Sequence, residues 1–188
     1  MVVLMALLLA PVERPGFVMR VVYRIARRRY GKVLMPLRVI YSRSPALLAI
    51  GLLIEWMRQH ATVLEPELRS LVTVYVSSRR SCDFCADLAV ALAVRAGIGR
   101  DRFDHLHAWR SSTAFSPRER AALAWVDDIL DDARIKPDTL AEARGVFSER
   151  ELVELTWLQA SEAYFNLQAH PLGIASDELA STRRTTNR

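Results

Sequence analysis

The chain has 188 residues, of which 51% are hydrophobic and 25% charged, and its formal net charge is +5. That length suits a single domain whose core is large enough to fold without a structural metal, and the apolar content excludes an intrinsically disordered chain. Such a composition is rich for a monomer, so a homo-oligomer that covers part of the apolar surface is expected.

The charge is unevenly spread. Residues 1–44 carry nine basic residues (Arg14, Arg20, Arg24, Arg27, Arg28, Arg29, Lys32, Arg38, Arg43) against the single acid Glu13, whereas the rest of the chain is net −3. A basic arm on a mildly acidic body can face nucleic acid, anionic lipid or an acidic subunit. No zinc-finger or helix-turn-helix signature accompanies it and no aromatics interleave with the basic run. A nucleic-acid partner is therefore not expected, and a solvated face or subunit contact is preferred. Met1 to Ala10 is apolar but too short to span a bilayer, and it lacks a basic n-region and a small-residue cleavage site. No signal peptide is read, a cytoplasmic location is expected, and membrane contact is not. A subordinate membrane-surface reading attaches to Phe17–Tyr30, where Phe17, Val18, Val21, Val22 and Ile25 alternate with arginines at helical spacing.

In chain order, the first helix is predicted over Phe17–Tyr30 and ends at Gly31. Ser44-Pro45 reads as an N-cap with proline in the first turn, opening Ala46–Gln59. Glu65-Pro66 opens the next helix. Ser81 is the expected N-cap of a helix that begins near Cys82 and closes at Gly97. Ser116-Pro117-Arg118-Glu119 and Ser148-Glu149-Arg150-Glu151 are capping boxes, predicting helices of about 16 and 20 residues. Pro171-Leu172-Gly173 terminates the last, and Ser181–Arg188 reads as a frayed polar tail. Leu71-Val72-Thr73-Val74-Tyr75-Val76 is β-branched enough to suggest a strand. A helix from Pro66 instead places Leu68, Leu71, Val72, Tyr75 and Val76 on one face, and no other segment offers comparable strands for a sheet. Helix is preferred.

Cys82-Asp83-Phe84-Cys85 contains the only two cysteines. A Cys-x-x-Cys pair opening a helix has both thiols within bridging reach and under the positive end of the helix dipole, which favours thiolate and suggests redox chemistry. The alternatives are ordinary buried cysteines, a zinc site completed by His105 and His107, and a purely structural disulfide. The spacing is not that of a zinc knuckle, and a bridge closing so small a loop constrains the unfolded chain little.

Several stretches together resemble the carboxymuconolactone decarboxylase-like superfamily, in its alkylhydroperoxidase-D-like branch. They are Leu68-Arg69-Ser70-Leu71-Val72 leading to Cys82-Asp83-Phe84-Cys85, then Ala91-Leu92-Ala93-Val94-Arg95-Ala96-Gly97, Phe115 to Leu123, Phe147 to Thr156, and Tyr164-Phe165-Asn166-Leu167 before Pro171-Leu172-Gly173-Ile174. The resemblance covers roughly residues 33–180. It implies an all-α multi-helix bundle that assembles as a homo-oligomer, with residues 1–32 as a basic and apolar helical arm, 33–180 as the alkylhydroperoxidase-D-like domain and 181–188 as a polar tail.

The resemblance further implies a thiol-dependent hydroperoxidase acting on a small-molecule peroxide, re-reduced by an external dithiol and needing no metal or organic cofactor. Cys85 would be the peroxidatic thiol and Cys82 the resolving one, although the dipole argument alone favours Cys82. The family's proton relay uses a glutamate twelve residues before the first cysteine and a histidine four after the second. Here Ser70 and Ala89 stand there, and neither is a general base near neutral pH. The candidates for a rebuilt site are Arg79 and Arg80, whose charge would lower a thiol pKa, and Asp87 or His105, which would move protons. The alternative is a helical oligomer of the same fold that has lost its activity. A lactone decarboxylase would not need the cysteine pair.

Overall fold

The computed structural model describes residues 6–181; the polar-tail expectation beyond Ser181 and the first half of the apolar start, residues 1–5, therefore lie outside the described residues. Among them there is no strand. The helices are α1 (Phe17–Tyr30), α2 (Pro45–His60), α3 (Pro66–Arg79), α4 (Asp83–Arg95), α5 (Asp101–Asp104), α6 (Pro117–Asp132), α7 (Pro137–Arg144) and α8 (Glu149–Ala169). A π-helical turn at Leu37–Tyr41 and short 3-10 turns at Leu106–Ala108 and His170–Leu172 complete the order.

The sequence signals set most boundaries. In both predicted capping boxes the serine Oγ accepts from the backbone N–H three residues on, and the glutamate returns to the serine N–H, satisfying donors that a helix start leaves orphaned. Gly31 ends α1 in the left-handed conformation at φ 80°, where a Cβ would be strained. Two predicted caps are corrected. Ser44 sits before α2 without a side-chain cap bond. Ser81 turns to φ 54°, so Cys82 becomes the N-cap of α4.

The β-branched run is helical for a physical reason. α3 is buried nearly all round, with Leu71, Val72, Val74, Tyr75, Val76 and Ser77 inside, so it needs no polar face. It lies at the centre, packed against α4, α6 and α8. One apolar core joins α3, α6 and α8 with Phe103, Leu106, Trp109, Phe115 and Phe147. A second lies under the N-terminal arm: Met19 and Tyr23 of α1 and Val39, Ile40 and Tyr41 of the π-turn pack with Cys82, Phe84 and Cys85, and with Ala169, Ile174 and Leu179. Each fully buried aliphatic side chain contributes about 1.5–3 kcal/mol, so the arm is bound to the cysteine-bearing helix by real packing energy.

Candidate functional site

The Cys-x-x-Cys pair is made by a sharp turn between two packed helices. α3 ends at Arg79, Ser81 reverses the chain with its positive φ, and the Cys82 N–H donates to the Ser77 carbonyl at 3.0 Å. Cys82 is then the N-cap of α4 and Cys85 lies in its first turn, beside backbone N–H groups that have no helical acceptor. The two sulfurs form a disulfide across a Cα–Cα distance of 5.3 Å, within the range an unforced bridge spans. Both residues are buried, Cys82 at 1% and Cys85 at 6% exposure, so Cys85 is the more accessible.

The expected general bases are absent from their places. The Ser70 hydroxyl donates to the Pro66 carbonyl inside α3, and Ala89 packs against the main core. Of the candidate substitutes, Arg79 and Asp87 are engaged elsewhere, whereas Arg80 lies at the C-cap of α3 with its buried Nε unpartnered among the described residues. Arg79 pairs with Asp127 and Asp131 and lies over the Tyr75 ring. Both Asp87 oxygens accept backbone N–H groups, from Leu179 and Ala180, at 2.8 Å, so Asp87 fastens the C-terminal segment to α4. His105 is exposed beside the turn that inserts Phe103 and Leu106 into the main core, whereas the cysteines belong to the second core. The four nominal zinc ligands are not brought together: the cysteines are bridged, and no group of three or more His, Cys, Asp or Glu among the described residues is placed to hold a metal ion. Tyr41, in the cysteine core, is no base either. Burial first, then the charge of Tyr164, pushes its phenol up to about 12, leaving it neutral at physiological pH.

Sequence reasoning missed a buried charged cluster behind the turn. Glu162 of α8, 4% exposed, accepts from Arg58 Nη1 of α2 at 2.9 Å, from Ser77 Oγ of α3 at 2.6 Å and from Asn166 Nδ2 at 3.0 Å. Ser77 thus holds Glu162 by its side chain and Cys82 by its carbonyl. The one available signal was that Glu162 and Asn166 continue the stripe of Leu155 and Leu158, which ought to be apolar. Beside it, a cavity of about 230 Å³ opens at the ends of α3 and α8, lined by Arg79, Arg80, Leu130, Asn166, Leu167 and His170. A second buried acid, Asp127, gathers Tyr75, Arg79 and Arg110, with Trp109 Nε1 donating to the Tyr75 hydroxyl at 2.9 Å. Desolvation, and then the hydrogen bond to Asp127, raises the Tyr75 phenol above its ordinary value.

Comparisons with known proteins agree with this helical fold. Residues 51–128, from α2 to α6 and including both cysteines, match the model of the carboxymuconolactone decarboxylase family. Protein YnjA of Escherichia coli K12 is 30% identical over 168 residues, covering 84% of this chain and 89% of its own. A crystal structure from Agrobacterium tumefaciens, of a protein of unknown function proposed to be the antioxidant defence protein AhpD, superposes with a TM-score of 0.69 at 25% identity, over 74% of this chain and 97% of that one. The debrominase Bmp8 shares the fold at a TM-score of 0.77 and 18% identity, over 94% and 95% of the two chains. With the helical order, the bridged cysteines at the start of α4 and the extended match to YnjA taken together, the chain belongs to the carboxymuconolactone decarboxylase family, in its AhpD-like form.

Proposed function

We propose that the protein is a thiol-dependent hydroperoxidase whose working groups are Cys82 and Cys85. The observation that carries this reading is the Cys82–Cys85 bridge at the N-terminus of α4, where a thiolate released by reduction would face unpaired backbone N–H groups. The AhpD name of the Agrobacterium neighbour adds support.

In the proposed cycle the Cys85 thiolate attacks the terminal oxygen of a hydroperoxide. The O–O bond breaks, the alkoxide leaves and takes a proton from solvent, and Cys85 becomes a sulfenic acid. The Cys82 thiol then displaces hydroxide, which leaves as water with the thiol proton, and the disulfide re-forms. An external dithiol returns two electrons and two protons, restoring both thiols and becoming a disulfide itself. The greater exposure of Cys85 suits the attacking role, while the helix dipole acts in the opposite sense by favouring the Cys82 thiolate at the cap.

The test is a thiol count. Fully reduced protein given excess hydroperoxide should lose two thiols in a saturable step and regain them with a dithiol, and Cys85→Ser should abolish turnover. Thiol loss no faster than that of free cysteine at the same pH would refute the proposal. It would favour the second reading, an inactive bundle, which rests on Ser70 and Ala89 standing where a relay would need acid and base.

A further inference from the structure

α1 is attached by one face and displays another of unusual character. Met19, Tyr23 and Ala26 are buried against the body, and the Tyr23 hydroxyl donates to the Val12 carbonyl at 3.0 Å and lies 2.8 Å from Ser42 Oγ. At i, i+4 and i+8, Phe17, Val21 and Ile25 form a stripe, with Val18 beside it; their exposures are 74%, 45%, 58% and 65%. Arg20, Arg24, Arg27, Arg28 and Arg29 surround this stripe, and α1 contains no acid. None of the five has an acidic partner within salt-bridge distance among the described residues. Arg20 instead lies over the Phe17 ring and Arg29 over Tyr30.

An ordinary solvated helix face does not pair bare valine, isoleucine and phenylalanine with five uncompensated cations. We propose that α1 is a docking helix for an anionic lipid surface, lying in the plane of the headgroups with Phe17, Val21 and Ile25 dipped toward the acyl boundary and the arginines against lipid phosphates. No helix among the described residues is long and apolar enough to cross a membrane, and a helix lying in the interface does not need to be. Charge complementarity favours this occupant over a second copy, because packing two such stripes together would oppose five unpartnered arginines with five more. Nucleic acid fits poorly because the centre of the face is aliphatic and offers phosphates nothing. The surface is independent of the thiols, so the proposal stands or falls apart from the peroxidase reading.

The experiment is cosedimentation of the oxidised full-length chain with vesicles of phosphatidylcholine alone and of phosphatidylcholine with phosphatidylglycerol. Binding is expected only to the anionic vesicles and should weaken with salt. Removing one arginine should lower the partition coefficient about fivefold, and Arg24→Gln with Arg28→Gln about 25-fold. Val21→Ser with Ile25→Ser should lower it about tenfold or more with an unchanged unfolding midpoint, since both side chains are already exposed. No binding to anionic vesicles at low salt would overturn the proposal. So would binding that the serine pair leaves intact, which would mean charge alone. A serine pair that instead reduces the sedimenting mass of the protein in solution would assign the stripe to a second copy.

Discussion

Replacing Glu162 by alanine tests the buried cluster behind the cysteine turn. The change removes one carboxylate and three hydrogen bonds, from Arg58, Ser77 and Asn166, and leaves the Arg58 guanidinium, 10% exposed at its side chain, without its nearer acid. Breaking a buried ion pair from one side costs about 3–5 kcal/mol, chiefly because the other charge stays buried. Arg58 retains Glu55, 3.6 Å away and 40% exposed, and a bond to Thr73, so the lower end, about 3 kcal/mol, is expected. In a domain of this size that lowers the thermal midpoint by roughly 6–12 °C. Urea unfolding of the oxidised protein measures it. The paired replacement Arg58→Met with Glu162→Leu removes both charges and should recover most of the loss, because an apolar pair of similar volume has no desolvation to offset. A single-mutant loss below about 1 kcal/mol, or a double mutant as unstable as Glu162→Ala, would refute the reasoning.

Further outcomes follow from other parts of the molecule. Gly173 has φ 69°, and a Cβ there would strike the Ala6 carbonyl, so Gly173→Ala should release the Leu8 N–H from the Leu172 carbonyl and speed limited proteolysis of residues 6–16, with α3 and α8 still protected. The Glu151 carboxyl is held below its ordinary value first by the Ser148 backbone N–H and, against some desolvation, by Arg118. Its folded pKa is depressed, so its contribution is complete above the unfolded value of about 4.5 and lost as pH falls through the lower folded one; wild type should lose more stability than Glu151→Gln over that acid interval. Ser70→Glu with Ala89→His restores acid and base where the resemblance places them, and should raise the rate of thiol loss to peroxide at least tenfold in stopped-flow measurements; no change would show that those positions do not address the sulfurs.

Much of the architecture was legible because its determinants are local. The serine-to-glutamate boxes at Ser116 and Ser148, Pro66 and Pro117 at helix starts, and Gly31 after α1 act within one helical turn, and each behaves as its spacing requires. Cys82 and Cys85 were equally legible, since three residues at the start of a helix leave their sulfurs within reach. The helical reading of Leu71 to Val76 depended on noticing that a helix buried all round needs no polar stripe. Ser81 misled because serine usually caps, whereas here the turn needs a left-handed residue at that position and passes the cap to Cys82. α7 carries its proline at Pro137 but escaped notice because eight residues give little periodicity to read.

The sequence by itself determined most of the long helices, the ends set by capping boxes, prolines and Gly31, and the reach between the two cysteines, because those depend on neighbours along the chain. Only the tertiary structure decided what surrounds the cysteines. Arg58 and Glu162 are 104 positions apart, and Ser77 and Glu162 are 85, so no pattern along the chain relates them. Packing α2, α3 and α8 together withdraws water from Glu162 and obliges it to find partners inside, and the same packing sends Arg79 to Asp127 and Asp87 to the C-terminal segment, away from the thiol chemistry for which their positions recommended them.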